Sequence, residues 1–220
     1  MFIKKYFIKC RKEVTKLFTL TDQQGEYLVQ LARQVIENKL GLTQASITEH
    51  NDLVYNEKCG VFVTLNIHAK GSYGLRGCIG LPYPTKPLID AVKEAAESSA
   101  FSDPRFPPVQ SNEVYRITIE VSVLTPPELI EVDNPLDYPS YIKVGRDGLI
   151  IGKGWRRGLL LPQVPVEWGW NSVEFLSQCC VKAGLPKDEW KKQETEIYSF
   201  QAILFKEKVP NGKVIRHQIS

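Results

Sequence analysis

Residues 60–87 read GVFVTLNIHAKGSYGLRGCIGLPYPTKP, and this stretch decides the fold. Val61, Val63, Leu65 and Ile67 alternate with Phe62, Thr64 and Asn66, a period of two that predicts a strand with one face in a core. Lys70-Gly71-Ser72-Tyr73-Gly74 reads as a turn, and Leu75–Gly80 as the returning strand of a hairpin. Pro82, Pro84 and Pro87 stop the strand, because proline has no N–H to give a ladder, and Pro87 suits the first turn of a helix. That helix runs through Leu88, Ile89, Val92, Ala95, Ala96 and Ser99, until SDPRFPPV (102–109) breaks it. YRITIEVSVL (115–124) follows as a strand with Tyr115, Ile117, Ile119, Val121 and Val123 on one face, ended by Thr125-Pro126-Pro127.

The second half repeats this order. Ile142–Val144, a Gly145-Arg146-Asp147-Gly148 turn and LIIG lead through Lys153-Gly154 into RRGLLLPQVP (156–165). Asn171-Ser172-Val173-Glu174 has the form of a capping box. It opens a helix with Val173, Leu176, Cys179, Cys180 and Ala183, closed by Gly184 and Pro186. A short segment around Trp190 precedes YSFQAILF (198–205), a last strand. Arg76-Gly77 before Pro82 and Arg157-Gly158 before Pro162 hold matching places, with Leu159 or Leu160 standing where Cys78 does. Two β-hairpin–helix–strand units, 60–124 and 142–205, predict an internal duplication whose strands form one curved mixed sheet. Ahead of them, Thr21 or Asp22 caps a helix with the stripe Tyr27, Leu28, Leu31, Ala32, Val35, Ile36 and Leu40, stopped by Gly41. Residues 206–220 read as a tail.

The 220 residues suffice for one large domain, and 43% hydrophobic with 24% charged residues is the composition of a globular protein with a substantial core. A net charge of +3 without a basic stripe points away from nucleic acid. No apolar run approaches ~18 residues, so no membrane span is expected. Cys10, Cys59, Cys78, Cys179 and Cys180 show neither CxxC nor Cys/His metal spacing, which predicts free thiols in a reducing cytoplasm and no metal site. No GxGxxG, P-loop, HExxH, serine elbow or EF-hand is present, and no cofactor is expected. Residues 1–19 stand apart: six Lys or Arg against Glu13 alternate with apolar residues at near-helical spacing. They read either as a basic amphipathic helix in weak contact with a membrane surface or partner, or as a helix packed on its own domain.

Cys78 poses the chemical question. A thiol beside Arg76 on a glycine-rich strand has the setting of a reactive nucleophile, and both side chains would share one strand face. A small buried residue in a tight corner fits equally. His50, His68 and His217 carry no signature of a thiol base. Asp103-Pro104-Arg105 either aims both charges at a cleft or pairs them with each other. Glu120 sits mid-strand, and if it faces inward it needs Arg76, Arg105 or Arg157. QVPVEWGW (163–170) sets Gln163, Glu167, Trp168 and Trp170 on a proline-stiffened loop, lining a pocket or stapled to the core. Two functions compete. One is an enzyme, or accessory enzyme subunit, whose cleft is lined by these groups with Gly77 and Gly80 and takes a small-molecule or peptidyl ligand. The other is a non-catalytic module that binds a protein partner through its tryptophans.

LRGCIG (75–80), DPRFPPV (103–109), EVSVLTPPELI (120–130), VGRDGLI (144–150), RGLLLPQVPVEWGW (157–170) and KAGLP (182–186) closely resemble the AMMECR domain family, in order, over residues 20–205. The resemblance implies an α+β fold with two lobes around a barrel-like, largely antiparallel sheet flanked by helices. It implies no established activity. Leu75, Arg76, Gly77, Cys78, Ile79 and Gly80 match the family's signature motif, which is suspected of marking an active or binding site. The frequent neighbourhood of such domains with Memo-like and radical-SAM proteins implies a shared modification pathway.

Overall fold

The computed structural model describes residues 18–44, 52–69 and 72–217. The basic amphipathic segment up to residue 17, with Cys10, and His50 lie outside the described residues. Helix α1 (Asp22–Lys39) precedes a hairpin of β1 (Gly60–Ala69) and β2 (Ser72–Leu81), helix α2 (Leu88–Phe101) and strand β3 (Ile117–Leu124). Strand β4 (Glu128–Leu129) and the one-turn helix α3 (Tyr138–Tyr141) lead to a second hairpin, β5 (Asp147–Lys153) and β6 (Arg156–Leu160). Helices α4 (Gln163–Glu167) and α5 (Ser172–Lys182) and strands β7 (Glu196–Glu207) and β8 (Val214–His217) complete the order.

The strands form an open, strongly curled antiparallel half-barrel with the path β2-β1-β3-β7-β5-β6, and β4 and β8 both join β7. Every pairing is antiparallel, so the expected mixed sheet is corrected. Each crossing helix packs on its own hairpin before the chain returns as the next strand. Strand β7 makes the curl: Ala202–Lys206 pair with β3, while Glu196–Gln201 pair with β5. Tyr83, just past β2 at one edge, lies within electrostatic reach of Arg157 on β6, the other edge.

One sheet face is covered by helices. Val61, Val63 and Leu65 of β1 and Ile117, Ile119, Val121 and Val123 of β3 pack with α1 and α2. Leu149, Ile151 and Ile197 pack with Phe175, Leu176, Cys179 and Cys180 of α5. The capping boxes close as expected, Thr21 with Gln24 and Asn171 with Glu174. A buried ion pair, Arg33 to Glu207 at 2.6 Å, ties α1 to the end of β7, and Glu207 also accepts the Ile119 N–H.

Several local expectations change. Val114–Arg116 is a 3₁₀ turn, so Tyr115 is exposed and β3 begins at Ile117. Ile142–Val144 is not a strand; α3, which no apolar period announces, precedes it. Gln163–Glu167 is a short helix rather than a loop. Residues 214–217, read as tail, form β8 along β7.

Candidate functional site

The LRGCIG stretch lies on β2, the edge strand, and its glycines answer to packing. A Cβ at Gly77 would stand 2.2 Å from the Ser99 carbonyl of α2, so only glycine lets this helix approach. The approach brings the Ser99 hydroxyl between the hairpin strands, where it accepts the Ile79 N–H at 2.8 Å and donates to the Val63 carbonyl at 2.7 Å. A Cβ at Gly80 would meet the Phe62 ring across the ladder.

Arg76 does not share the Cys78 face as simple alternation predicts. Leu65 pairs with Gly77 and Asn66 with Leu75, leaving Arg76 as the extra residue of a β-bulge. Its buried side chain grips Glu113 with Nε and Nη2 at 2.9 and 3.0 Å, while Nη1 is buried without a hydrogen-bond partner. The hydrogen bonds from Arg76 hold the Glu113 carboxyl below its ordinary value, against the opposing effect of burial. Arg76 is therefore committed to Glu113 and is not a free cation for the thiol.

Asp103 and Arg105 pair with each other and with the Cys78 backbone. The Cys78 N–H donates to Asp103 Oδ2 at 2.8 Å, and Arg105 Nη2 donates to the Cys78 carbonyl at 3.0 Å. Arg105 also reaches Asp103 at 2.7 and 2.9 Å. Together they imitate a neighbouring strand and close the free edge at the cysteine. Bonds from Arg105 hold the buried Asp103 carboxyl well below the usual carboxylate range, against the opposing effect of burial. Phe106 lies beneath both guanidinium groups, 6.0 Å from Arg76 and 5.5 Å from Arg105.

The Cys78 side chain turns to the sheet face that carries no helix. In register across it stand Thr64, Glu120 and Lys206, one from each successive strand. Thr64 Oγ1 lies 3.3 Å from Cys78 Sγ. The Glu120 carboxyl makes no hydrogen bond among the described residues; burial pushes it up from the ordinary value, and the nearby Lys206 charge pulls it down. Its expected partners Arg76, Arg105 and Arg157 are all engaged elsewhere, and Lys206 faces it instead. Two strand spacings, about 10 Å, separate Cys78 from Glu120, with Thr64 between them. His68 lies four residues along β1 from Thr64, about 13 Å away, against the Tyr73 ring. His217, opposite Leu204, occupies the same face beyond Lys206, and burial lowers its pKa. Thr64 enters the sequence reading only as an alternating strand residue, His217 only as a histidine without a thiol-base signature, and Lys206 only as part of the tail, so none is offered there as a site residue.

The matching row of the other hairpin is apolar. Leu159, Ile150 and Tyr198 occupy β6, β5 and β7 in register and pack with Leu124 and Phe200. There Gly158 takes the role of Gly77, its Cβ position 2.4 Å from the Ala183 nitrogen, and Cys179 Sγ takes that of Ser99, 3.6 Å from the Leu149 carbonyl. Burial raises the thiol pKa of Cys59 to about 12 and of Cys180 to about 11, and raises that of Cys179 as well. Arg157 pairs with Glu196 at 3.0 Å. Gln163 and the exposed Glu167 flank α4, and Trp168 stacks on Trp170 at 5.9 Å. No hydrogen bond among the described residues links Arg157, Gln163, Glu167, Trp168 or Trp170 to the Cys78 cluster. No group of three metal-ligating side chains is found among the described residues, and none of their helices is long and apolar enough to cross a membrane.

Comparison with known proteins adds identity to this geometry. The sequence profile of the AMMECR1 family matches residues 29–205. Protein MJ0810 of Methanocaldococcus jannaschii is 52% identical over 200 residues, spanning 91% of this chain and 98% of that protein. A protein of Methanothermobacter thermautotrophicus is 53% identical over 193 residues, spanning 87% and 98%. The crystal structure of an uncharacterized protein, PH0010 from Pyrococcus horikoshii, superposes with a TM-score of 0.77 at 50% identity, covering 91% of this chain and all of that one.

Proposed function

This chain belongs to the AMMECR1 family, and from that premise we propose that it is a cleft-bearing enzyme, or an accessory enzyme subunit, acting at the helix-free face beside LRGCIG. Cys78 is the reacting thiol, and Glu120 the acid–base group across the row. Thr64 orients the sulfur, and Lys206 supplies positive charge to an anionic part of a small-molecule or peptidyl ligand. Arg76, Asp103 and Arg105 position the Cys78 backbone.

The observation that carries this reading is the contrast between the two rows. At corresponding places one hairpin builds Leu159, Ile150 and Tyr198 into a closed apolar cluster, while the other keeps Cys78, Thr64 and Glu120. The fold is satisfied by the apolar set, and a half-buried carboxyl whose charged form burial disfavours costs stability. Groups retained at such a cost mark a site.

The test is an intact-mass screen of small electrophiles of graded shape against the native protein. Selective modification of Cys78, out of order with each compound's reactivity toward glutathione and lost in Glu120→Gln and Lys206→Ala, is expected. Rates that simply track glutathione would refute a shaped site at Cys78.

A further inference from the structure

We propose that the tip of the β5–β6 hairpin and the loop after α5 form a docking surface for an acidic segment of a partner protein, carrying one apolar anchor. The surface is separate from the Cys78 row. A cavity of about 350 Å³ lies there, lined by Trp155 and Arg156 of the hairpin, Leu185 and Pro186 of the loop, and the Lys153–Glu189 ion pair.

Trp155 is the first observation. The two-residue turn needs a glycine at its first position, which Gly154 supplies with φ of +61°. The second position has no such demand, yet it holds a tryptophan that is 86% exposed. Its ring meets the Arg156 guanidinium at 5.4 Å, so the fold spends no apolar burial on it. Tryptophan and arginine are both among the residues enriched where interfaces concentrate their energy.

Charge identifies the occupant. Every acid around the cavity is neutralised within the chain: Glu189 by Lys153 and Lys192, Asp188 by Lys191, and Glu194 by Lys153. Three of the nearby cations are not so paired. Arg156 donates to the Gly184 carbonyl but meets no carboxylate, and the exposed Lys182 and Lys187 form no ion pair among the described residues. The free charge of Arg156, with Lys182 and Lys187 flanking Leu185 and Pro186 along the chain, therefore accompanies an apolar floor of those two residues, and this pattern fits acidic side chains flanking a hydrophobic one. A small ligand held within the cavity would leave most of the Trp155 ring in water. Covering it requires a body extending past the rim, as a peptide segment does.

The experiment pans a phage-displayed library of random dodecapeptides against the full-length protein and titrates the enriched peptides by fluorescence polarisation. Acidic peptides with one large apolar residue are expected. Their Kd should rise at least tenfold in Trp155→Ala and in Arg156→Glu, and rise with salt. Because Trp155 touches little, Trp155→Ala should melt with the parent, Arg156→Glu should lose only its bond to the Gly184 carbonyl, and both should alkylate Cys78 at the parent rate, which separates this proposal from the preceding one. Failure to enrich, neutral or basic consensus peptides, or unchanged Kd in both variants would each overturn it. Displacement of the peptides by millimolar inorganic phosphate or citrate would overturn it in favour of a small-anion site.

Discussion

Replacing Gly77 with alanine separates the structural share of LRGCIG from its chemistry. The new Cβ would stand 2.2 Å from the Ser99 carbonyl, which belongs to a helix backbone and has no rotamer to give. Helix α2 must retreat by roughly 1 Å to regain ordinary contact, and such overpacking costs about 1–3 kcal/mol. The retreat also draws the Ser99 hydroxyl from between Ile79 and Val63, where each bond is worth about 1 kcal/mol. Stiffening of the unfolded chain by alanine offsets about 0.4–1 kcal/mol. The net loss is about 3 kcal/mol, or about 6–12 °C in Tm for a domain of this size. Thermal melts should show that fall, and hydrogen exchange should show the Ile79 amide losing protection. Gly158→Ala, which meets the Ala183 nitrogen at 2.4 Å and the Cys179 carbonyl of α5 at 2.7 Å, should cost a similar amount. Gly74→Ala, with nothing within 4 Å of its Cβ, should be neutral or slightly stabilising. A Gly77→Ala protein that melts within about 2 °C of the parent with Ile79 still protected would refute the close-approach argument.

Iodoacetamide should modify Cys78 in the folded protein while Cys59, Cys179 and Cys180 wait for denaturant, because burial holds those three thiols protonated; peptide mass mapping reads the order. Glu120→Gln should raise Tm at pH 8 and lose that advantage near pH 4. A carboxyl whose folded pKa is raised contributes stability below its unfolded value and forfeits it as pH climbs through the folded one. Asp103 runs the other way: its lowered pKa gives stability above the unfolded value that is lost in acid. Asp103→Asn should therefore destabilise the protein by about 2 kcal/mol at pH 7 and flatten the acid limb of its pH–stability curve. Glu207→Ala leaves the buried Arg33 charge only Glu37, at 3.4 Å, as an ionic partner and should cost about 3 kcal/mol by chemical denaturation.

Much of the site's grammar was legible locally. Alternation in 60–67 located β1, and the Asn171–Glu174 spacing located the start of α5, because strand period and capping involve residues close in sequence. The bulge at Arg76 was not legible. It depends on which β1 residue faces which β2 residue, and one extra residue reverses the side on which an arginine emerges. The Glu113 partner, 37 positions away, was equally hidden.

The sequence by itself determined the two hairpins, the long helices and the strands that follow them, though not α3, α4 or β8; it also showed that glycines and prolines punctuate the hairpins and that Cys78 lies beside Arg76 and Gly77. Short-range sterics and periodicity suffice for those properties. Tertiary structure decided what each group does. Only pairing register aligns Cys78, Thr64, Glu120 and Lys206 across four strands, and only helix packing shows that Gly77 serves the Ser99 carbonyl. The reason is the geometry of a sheet: neighbours across strands stand about 5 Å apart whatever their separation along the chain, so adjacency on its face is written in register.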